Sequence, residues 1–170
     1  DPPPAVAVGG LLVAALMAQA PRAGADPNPL LDPEGLHVGP YRAEVIRVID
    51  ADTLEMAIDV WPGISVDVSV RVRGVDAPEI RTSCKAEKRL GERATAWVRE
   101  RYPQGALVRV EHVERGSFAG RVVADVARWQ DNRWVPLAGE LLARRFAEPY
   151  RMAQAAVPWC LIATEREAAG

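Results

Sequence analysis

The sequence has few of the residues that build zinc sites or histidine-based catalysis, with two cysteines and two histidines in 170 residues. Cys84 and Cys160 lie far apart and form no Cys-x-x-Cys motif, and His37 and His112 are also widely separated. Zinc sites in proteins gather Cys and His ligands that usually come in closely spaced pairs. The composition therefore argues against a zinc site and against a histidine base.

A strong charge of one sign is also absent. The chain has 21 basic and 23 acidic residues, so its formal net charge is −2. Between Tyr41 and Arg151 the basic residues slightly outnumber the acidic ones. This excess is too small to give broad affinity for a nucleic-acid backbone. Any attraction for phosphate must come from a local site.

Long apolar runs are scarce. The exception extends from Ala5 to Ala20, about 16 residues, which is shorter than the roughly 20 residues that span a membrane. Small residues at 18–20 and 23–25 resemble the cleavage sites of secretory signals. We expect residues 1–20 to be a signal peptide or a retained anchor that contacts the membrane through residues 5–20. A buried soluble helix is the third alternative.

Both main interpretations predict export, to the periplasm or another extracytoplasmic face. Residues 21–40 are rich in proline and are expected to form an extended linker, because proline disfavours helices and strand pairing. The sequence contains no internal repeat. We expect a folded domain over residues 41–151 and a C-terminal tail, residues 152–170, packed on that domain.

Alternating residues predict strands in the first half of this domain. Strands over Tyr41–Ile49 and Thr53–Asp59 would be joined by a tight Asp-Ala-Asp turn. From Ser65 to Arg73 every second residue is a valine, which is typical of a strand with one buried face. The predicted inward residues are Val66, Val68, Val70 and Val72. Arg71 falls on the opposite face, where a ligand can bind.

Two helices are predicted further along the chain. Lys85–Tyr102 has apolar residues at helical spacing with charges between them. Pro136–Arg145 forms the second helix, and its predicted inward residues are Leu137, Leu141 and Leu142. Two more strands are expected, one around Val108–Val110 and one over Gly120–Trp129. Together these elements indicate a small β barrel with helices.

Three sequence blocks carry a family resemblance. They are Asp50-Ala51-Asp52-Thr53, then Arg71 followed by Asp76-Ala77-Pro78-Glu79, then Gly120-Arg121. The chain from about Tyr41 to Tyr150 resembles the thermonuclease, or staphylococcal-nuclease-like, family. The resemblance implies an α+β fold that is mainly β: a five-stranded OB-type barrel with two to three helices. It also implies calcium-dependent cleavage of phosphodiester bonds in DNA or RNA.

The resemblance further implies a role for each site residue. Asp52, Asp76 and the carbonyl group of Ala77 would bind Ca²⁺, which accepts several oxygen ligands in a loose geometry. Glu79 would be the general base, and Arg71 and Arg121 would contact the scissile phosphate. Tyr150 would either stack on a nucleotide or pack the C-terminal tail. Without the family pattern, Asp52 and Asp76 would be turn residues, and Asp50 is expected to have a structural role.

The two cysteines fit the export prediction. In an oxidising compartment we expect a disulfide between Cys84 and Cys160. Such a bond would tie the C-terminal tail to the loop beside the proposed site. The alternative is two buried free thiols.

Two functions from different classes remain open. The first is an exported or membrane-tethered calcium-dependent nuclease with a nucleic acid as its substrate. The second is a nuclease-like interaction domain that serves as an accessory subunit of a membrane protein complex. The apolar N-terminal segment, the proline-rich linker and the nearly neutral domain favour the second function, whereas the retained site residues favour the first.

Overall fold

The computed structural model describes residues 39–117, 119–151 and 155–169. The predictions for residues 1–20 and for nearly all of the linker lie outside the described residues. None of the helices in the described part of the chain is both long enough and apolar enough to span a membrane.

Eight strands and three helices form the described structure. The strands are β1 (Tyr41–Asp50), β2 (Thr53–Trp61), β3 (Ile64–Val72), β4 (Val75–Asp76), β5 (Leu107–Arg115), β6 (Arg121–Gln130), β7 (Arg133–Pro136) and β8 (Glu148–Pro149). The helices are α1 (Lys85–Arg101), α2 (Leu137–Ala143) and α3 (Trp159–Ala168). The predicted long strands and the first two helices are present within a few residues of their expected bounds.

A parallel pairing closes the barrel. Antiparallel pairings give the order β3-β2-β1-β5-β6, and β6 then pairs with β3 in parallel through residues 69–72 of β3. The result is a closed five-stranded barrel with helices packed on it, which confirms the predicted α+β, OB-type fold class. Strand β7 extends the sheet beside β6, and β4 pairs separately with β8.

The alternating valines of β3 are buried only in the second half of the strand. Val70 and Val72 are fully buried in the barrel, whereas Val66 is 48% exposed. The reason is the register: β3 pairs with β6 only from Ser69 onward, so its first half pairs with β2 alone. The β2–β3 hairpin therefore has an exposed tip, where Trp61 and Ile64 face solvent.

Helix α2 is shorter than predicted at both ends. Pro136 belongs to β7, and Arg145 has a positive φ of 59° that a helix cannot contain. The prediction that Leu142 faces inward is wrong, since it is 37% exposed, while Leu137 and Leu141 are fully buried. The helix is only seven residues long, and its narrow buried stripe covers positions four residues apart.

The C-terminal tail carries the third helix, α3. The predicted disulfide between Cys84 and Cys160 is present, and it joins the residue before α1 to the second residue of α3. A small apolar cluster lies between the two helices, formed by Ala86, Leu90, Trp159 and Ala163. The tail is thus attached to the barrel domain both covalently and by packing.

Two neighbouring leucines of α2, Leu141 and Leu142, provide a matched test of how this helix packs on the core. Leu141→Ala should lower the free energy of unfolding by about 2–5 kcal/mol, because it leaves a cavity in the core. Leu142→Ala removes the same atoms from a partly exposed site and should cost less than about 1 kcal/mol. Urea denaturation followed by circular dichroism measures both values, and equal losses would contradict this difference in burial.

Candidate active site

Strand register brings the three central site residues to one end of the barrel. Asp52 lies in the turn between β1 and β2, Arg71 near the end of β3, and Asp76 in β4. Thr53 is paired with Arg71 across the β2–β3 ladder, and the Val72 N–H donates to the Asp52 carbonyl oxygen at 2.8 Å. Residues 19 positions apart in the sequence therefore become direct neighbours.

The guanidinium group of Arg71 connects both carboxylates. Its Nη1 donates to Asp52 Oδ1 at 3.1 Å, and its Nη2 donates to Asp76 Oδ1 at 2.7 Å. Burial lowers the pKa of Arg71, but the negative charges of Asp52 and Asp76 outweigh that effect, and the net shift is upward. Arg71 therefore remains a cation and holds the two acids in place.

Asp52 is a buried carboxylate with several donors. The residue is 3% exposed, its Oδ1 also accepts from the Thr53 hydroxyl, and its Oδ2 accepts from the Ala77 N–H at 2.8 Å. Burial raises the pKa of Asp52 to about 7, since the desolvation of the carboxylate and the nearby Asp50 outweigh the attraction of Arg71. The charged form of Asp52 is thus costly in this site.

Asp50 contributes an unsatisfied oxygen at the same end of the barrel. Its Oδ1 is buried and has no hydrogen-bond partner among the described residues. Two adjacent carboxylates, one with an unsatisfied buried oxygen, are stabilised either by a proton or by a cation. The position between them does not need a glycine, because Ala51 does not adopt a positive φ.

Asp76 receives a second donor that sequence analysis missed. Trp159 Nε1 donates to Asp76 Oδ2 at 2.8 Å, across 83 positions of sequence. Trp159 directly precedes Cys160, whose expected disulfide partner Cys84 follows the Asp-Ala-Pro-Glu block by a few residues. The predicted disulfide was the one sequence signal from which the position of Trp159 near the site could have been inferred.

Tyr150 lies at the edge of the same cluster. The Arg71 Cζ atom is 5.7 Å from the centroid of the Tyr150 ring, and the ring belongs to a residue that is 44% exposed. The Tyr150 N–H donates to the Gly74 carbonyl oxygen at 2.9 Å, which extends the β4–β8 pairing. This places an accessible aromatic ring beside the guanidinium group.

Glu79 lies on an exposed loop whose path is fixed by α1. Its N–H donates to Glu87 Oε1 at 3.2 Å, and Gly91 lets the loop lie close, since a Cβ there would be 2.6 Å from the Pro78 carbonyl oxygen. Partial burial raises the pKa of Glu79, and the negative charges of Asp52 and Asp76 add to this shift. Glu79 therefore shares the electrostatic field of the central acids.

Arg121 is placed by strand pairing. It begins β6, where it lies beside Ser69 of the parallel strand β3. Paired residues of neighbouring strands project from the same face, and Arg71 is two residues further along β3. Arg121 and Arg71 therefore share the outer face of the barrel on adjacent strands.

The side-chain donors at this end of the barrel are mainly carboxylate oxygens. In the part of the chain that the structure describes, no three Asp, Glu, His or Cys side chains form a group arranged to hold a metal ion. The carboxylates of Asp52 and Asp76 nevertheless share the Arg71 guanidinium group, and Asp50, two residues before Asp52, has a buried oxygen without a hydrogen-bond partner among the described residues. Oxygen donors with excess negative charge fit Ca²⁺ better than zinc or copper.

Comparison with protein-family models gives no match for this chain, and a search of curated proteins also finds no match. The resemblance to the thermonuclease family therefore stays a prediction that rests on the three sequence blocks.

The raised pKa of Asp52 predicts a pH-dependent stability. Between the pKa of the unfolded chain, near 3.8, and the folded value of about 7, the folded state keeps a proton that the unfolded state has lost. Stability should therefore fall as pH rises through this window, by at most about 1.4 kcal/mol per pH unit. Denaturation in EDTA at several pH values between 4 and 8 measures the slope.

Asp52→Asn should remove that slope, although it lowers stability at every pH because an amide cannot accept at both oxygen positions. Asp59→Asn is the matched control, since the Asp59 side chain is 41% exposed and forms its ion pair with Arg42, which is also exposed. A slope that Asp52→Asn leaves unchanged would contradict the assignment.

Proposed function

We propose that the chain is a calcium-dependent nuclease of the thermonuclease type that hydrolyses phosphodiester bonds in DNA or RNA. One observation carries the proposal: Arg71 bonds both Asp52 and Asp76 at one end of the barrel, beside the unsatisfied oxygen of Asp50. Phosphodiester cleavage needs a guanidinium fork for phosphate oxygens and oxygen ligands for a divalent cation. Neighbouring side chains carry both kinds of group, which supports the proposal.

Asp52, Asp76 and the Ala77 carbonyl group would hold the Ca²⁺ ion. When bound, the ion supplies positive charge for the phosphate and orients a water molecule. Asp52 is the ligand that gains most, because its buried carboxylate is costly to ionise without a cation. The hydrogen bonds from Arg71 and from the Ala77 N–H fix the Asp52 carboxylate before the ion arrives.

Glu79 would take a proton from the attacking water. It is exposed, so water reaches it, and its raised pKa brings the carboxylate closer to the pH at which a general base works best. Arg71 and Arg121 would bind the phosphate oxygens and stabilise the charge that develops on them. By resemblance to the family, the products would carry a 3′-phosphate.

Tyr150 would stack on a base of the substrate. Its half-exposed ring lies beside Arg71, so a phosphate bound by Arg71 would bring the adjoining nucleotide next to the ring. Aromatic stacking on bases tolerates any sequence, because every base has a flat face. This arrangement supports a nuclease without strong sequence preference.

We also propose that the enzyme is exported, to the periplasm or another extracytoplasmic face, and tethered to the membrane through residues 5–20 if that segment is retained. The Cys84–Cys160 disulfide supports this proposal, because such bonds persist in oxidising compartments and are rare in the cytosol.

A digestion assay on single-stranded DNA and RNA tests the activity. The wild type should cut both with Ca²⁺ and neither with EDTA. Glu79→Gln and Arg121→Ala should each slow cleavage by about 100-fold or more, because each removes a group that acts in the transition state. Glu100→Gln and Arg42→Ala are matched controls on exposed residues away from the cluster and should cut normally. Equal rates in all five proteins would contradict the mechanism.

Calcium binding is tested separately by thermal unfolding. At about 100 times the dissociation constant, Ca²⁺ should stabilise the wild type by roughly 2.7 kcal/mol. Asp76→Ala should remove this stabilisation, because it deletes a ligand, whereas Asp59→Ala should retain it. A shift that persists in Asp76→Ala would place the ion elsewhere.

One observation favours the second function, an interaction domain that acts as an accessory subunit of a membrane protein complex. All four carboxylate oxygens of Asp52 and Asp76 accept hydrogen bonds from Arg71, Thr53, Ala77 or Trp159. A cluster with all its oxygens satisfied is sufficient to hold the end of the barrel together without binding a metal ion or a substrate. In that case the wild type would not cut nucleic acid, while Asp76→Ala would still lower its stability.

A further inference from the structure

Trp159 lies far in sequence from the three family-like blocks, yet it contacts the centre of the site. The side chain is buried, with 4% of the residue exposed, and its Nε1 donates to Asp76 Oδ2 at 2.8 Å. Arg71 Nη2 donates to the other oxygen, Oδ1, at 2.7 Å. The Asp76 carboxylate is therefore held by one donor on each oxygen, and rotating it breaks at least one bond.

The two donors differ in charge. Arg71 orients the Asp76 carboxylate and also neutralises it, which competes with binding of a cation. The indole N–H of Trp159 is neutral and orients the carboxylate without cancelling its charge. A donor of this kind suits a metal ligand, because the ligand oxygens keep their second lone pairs and their negative charge.

Several contacts fix Trp159 in this position. The next residue, Cys160, is bonded to Cys84 at the start of α1. The ring packs against Ala86 and Leu90 of the same helix, and the Arg166 Cζ lies 5.7 Å from its centroid. Arg166 in turn donates to Glu148 and to the Arg145 carbonyl oxygen. The indole is thus held from both ends of α3.

Resting on the proposed function, we infer that Trp159 is the positioning residue for the calcium ligand Asp76, and that the Cys84–Cys160 disulfide maintains this contact. The two cysteines are 76 positions apart, and the loop that their disulfide closes contains α1 and Tyr150. Once it is broken, no covalent bond holds α3 against α1 among the described residues, and non-covalent contacts remain: the small apolar cluster, two ion pairs and the hydrogen bonds of Trp159 and Arg166. Calcium binding by this chain therefore depends on its redox state.

The redox step is an ordinary thiol exchange. A dithiol reductant gives two electrons and two protons to the sulfur–sulfur bond, becomes a disulfide itself, and leaves Cys84 and Cys160 as thiols. The consequence is a nuclease that is weak under reducing conditions and gains its full calcium affinity once the disulfide has formed.

Trp159→Phe tests the inference most directly, because it keeps an aromatic ring in the cluster and removes the N–H donor. Residues that orient a metal ligand typically contribute about 10-fold to 100-fold in metal affinity or activity. We expect calcium affinity, measured by calorimetry, to fall by that factor, with a matching loss of cleavage rate at low Ca²⁺. Trp129→Phe is the control, since Trp129 is 55% exposed.

A second variant and a spectroscopic measurement accompany the Trp159→Phe test. The double variant Cys84→Ser, Cys160→Ser should show the same loss of calcium affinity without any reductant. With ¹⁵N-labelled tryptophan, the Trp159 indole signal, identified by its absence in Trp159→Phe, should move when Ca²⁺ is added to the wild type. This signal is measured on the wild type, so it tests whether the Trp159–Asp76 contact responds to calcium even if the double variant fails to fold.

The outcomes separate the two proposals. If the wild type binds Ca²⁺ and cuts nucleic acid, but Trp159→Phe binds Ca²⁺ as tightly or the indole signal stays fixed, the inference about Trp159 is wrong and the proposed function stands. If the wild type neither binds Ca²⁺ nor cuts nucleic acid, the proposed function fails and the inference fails with it.

Discussion

The contact of Arg71 with Asp52 and Asp76 is the interaction on which one end of this protein depends. It joins the β1–β2 turn, the end of β3 and the short strand β4 through one guanidinium group. A nearly fully buried carboxylate such as Asp52 would be very unfavourable without a charged partner. The same contact that stabilises the fold therefore assembles the residues of the candidate site.

One guanidinium group does not balance the acids around it. Asp50, Asp52 and Asp76 all act on Arg71, and burial still raises the pKa of Asp52 to about 7. The desolvation cost of the Asp52 carboxylate thus exceeds the attraction that Arg71 provides, so additional positive charge would stabilise the site. A proton can supply this positive charge, which links the stability of the domain to pH, and under the proposed function a calcium ion would supply it for the same physical cause.

Much of this arrangement could be predicted from the sequence. Alternating valines located β3 and put Arg71 on its outer face, and helical spacing located α1 to within one residue. The pairing of Cys84 with Cys160 followed from cysteine count and the expected compartment. These predictions succeeded because periodicity and cysteine number report on short stretches of chain or on a single possible pair.

Other features were decided only by the tertiary structure. The parallel pairing of β3 with β6 limits the buried part of β3 and leaves Val66 exposed. The rotation of the short helix α2 leaves Leu142 partly in solvent, and the docking of α3 brings Trp159 to Asp76. The sequence by itself determined the main strands and helices, most of their buried faces and the set of acidic residues and arginines available for the site. Which of them touch was determined by strand register and helix packing between distant segments, which no local pattern encodes.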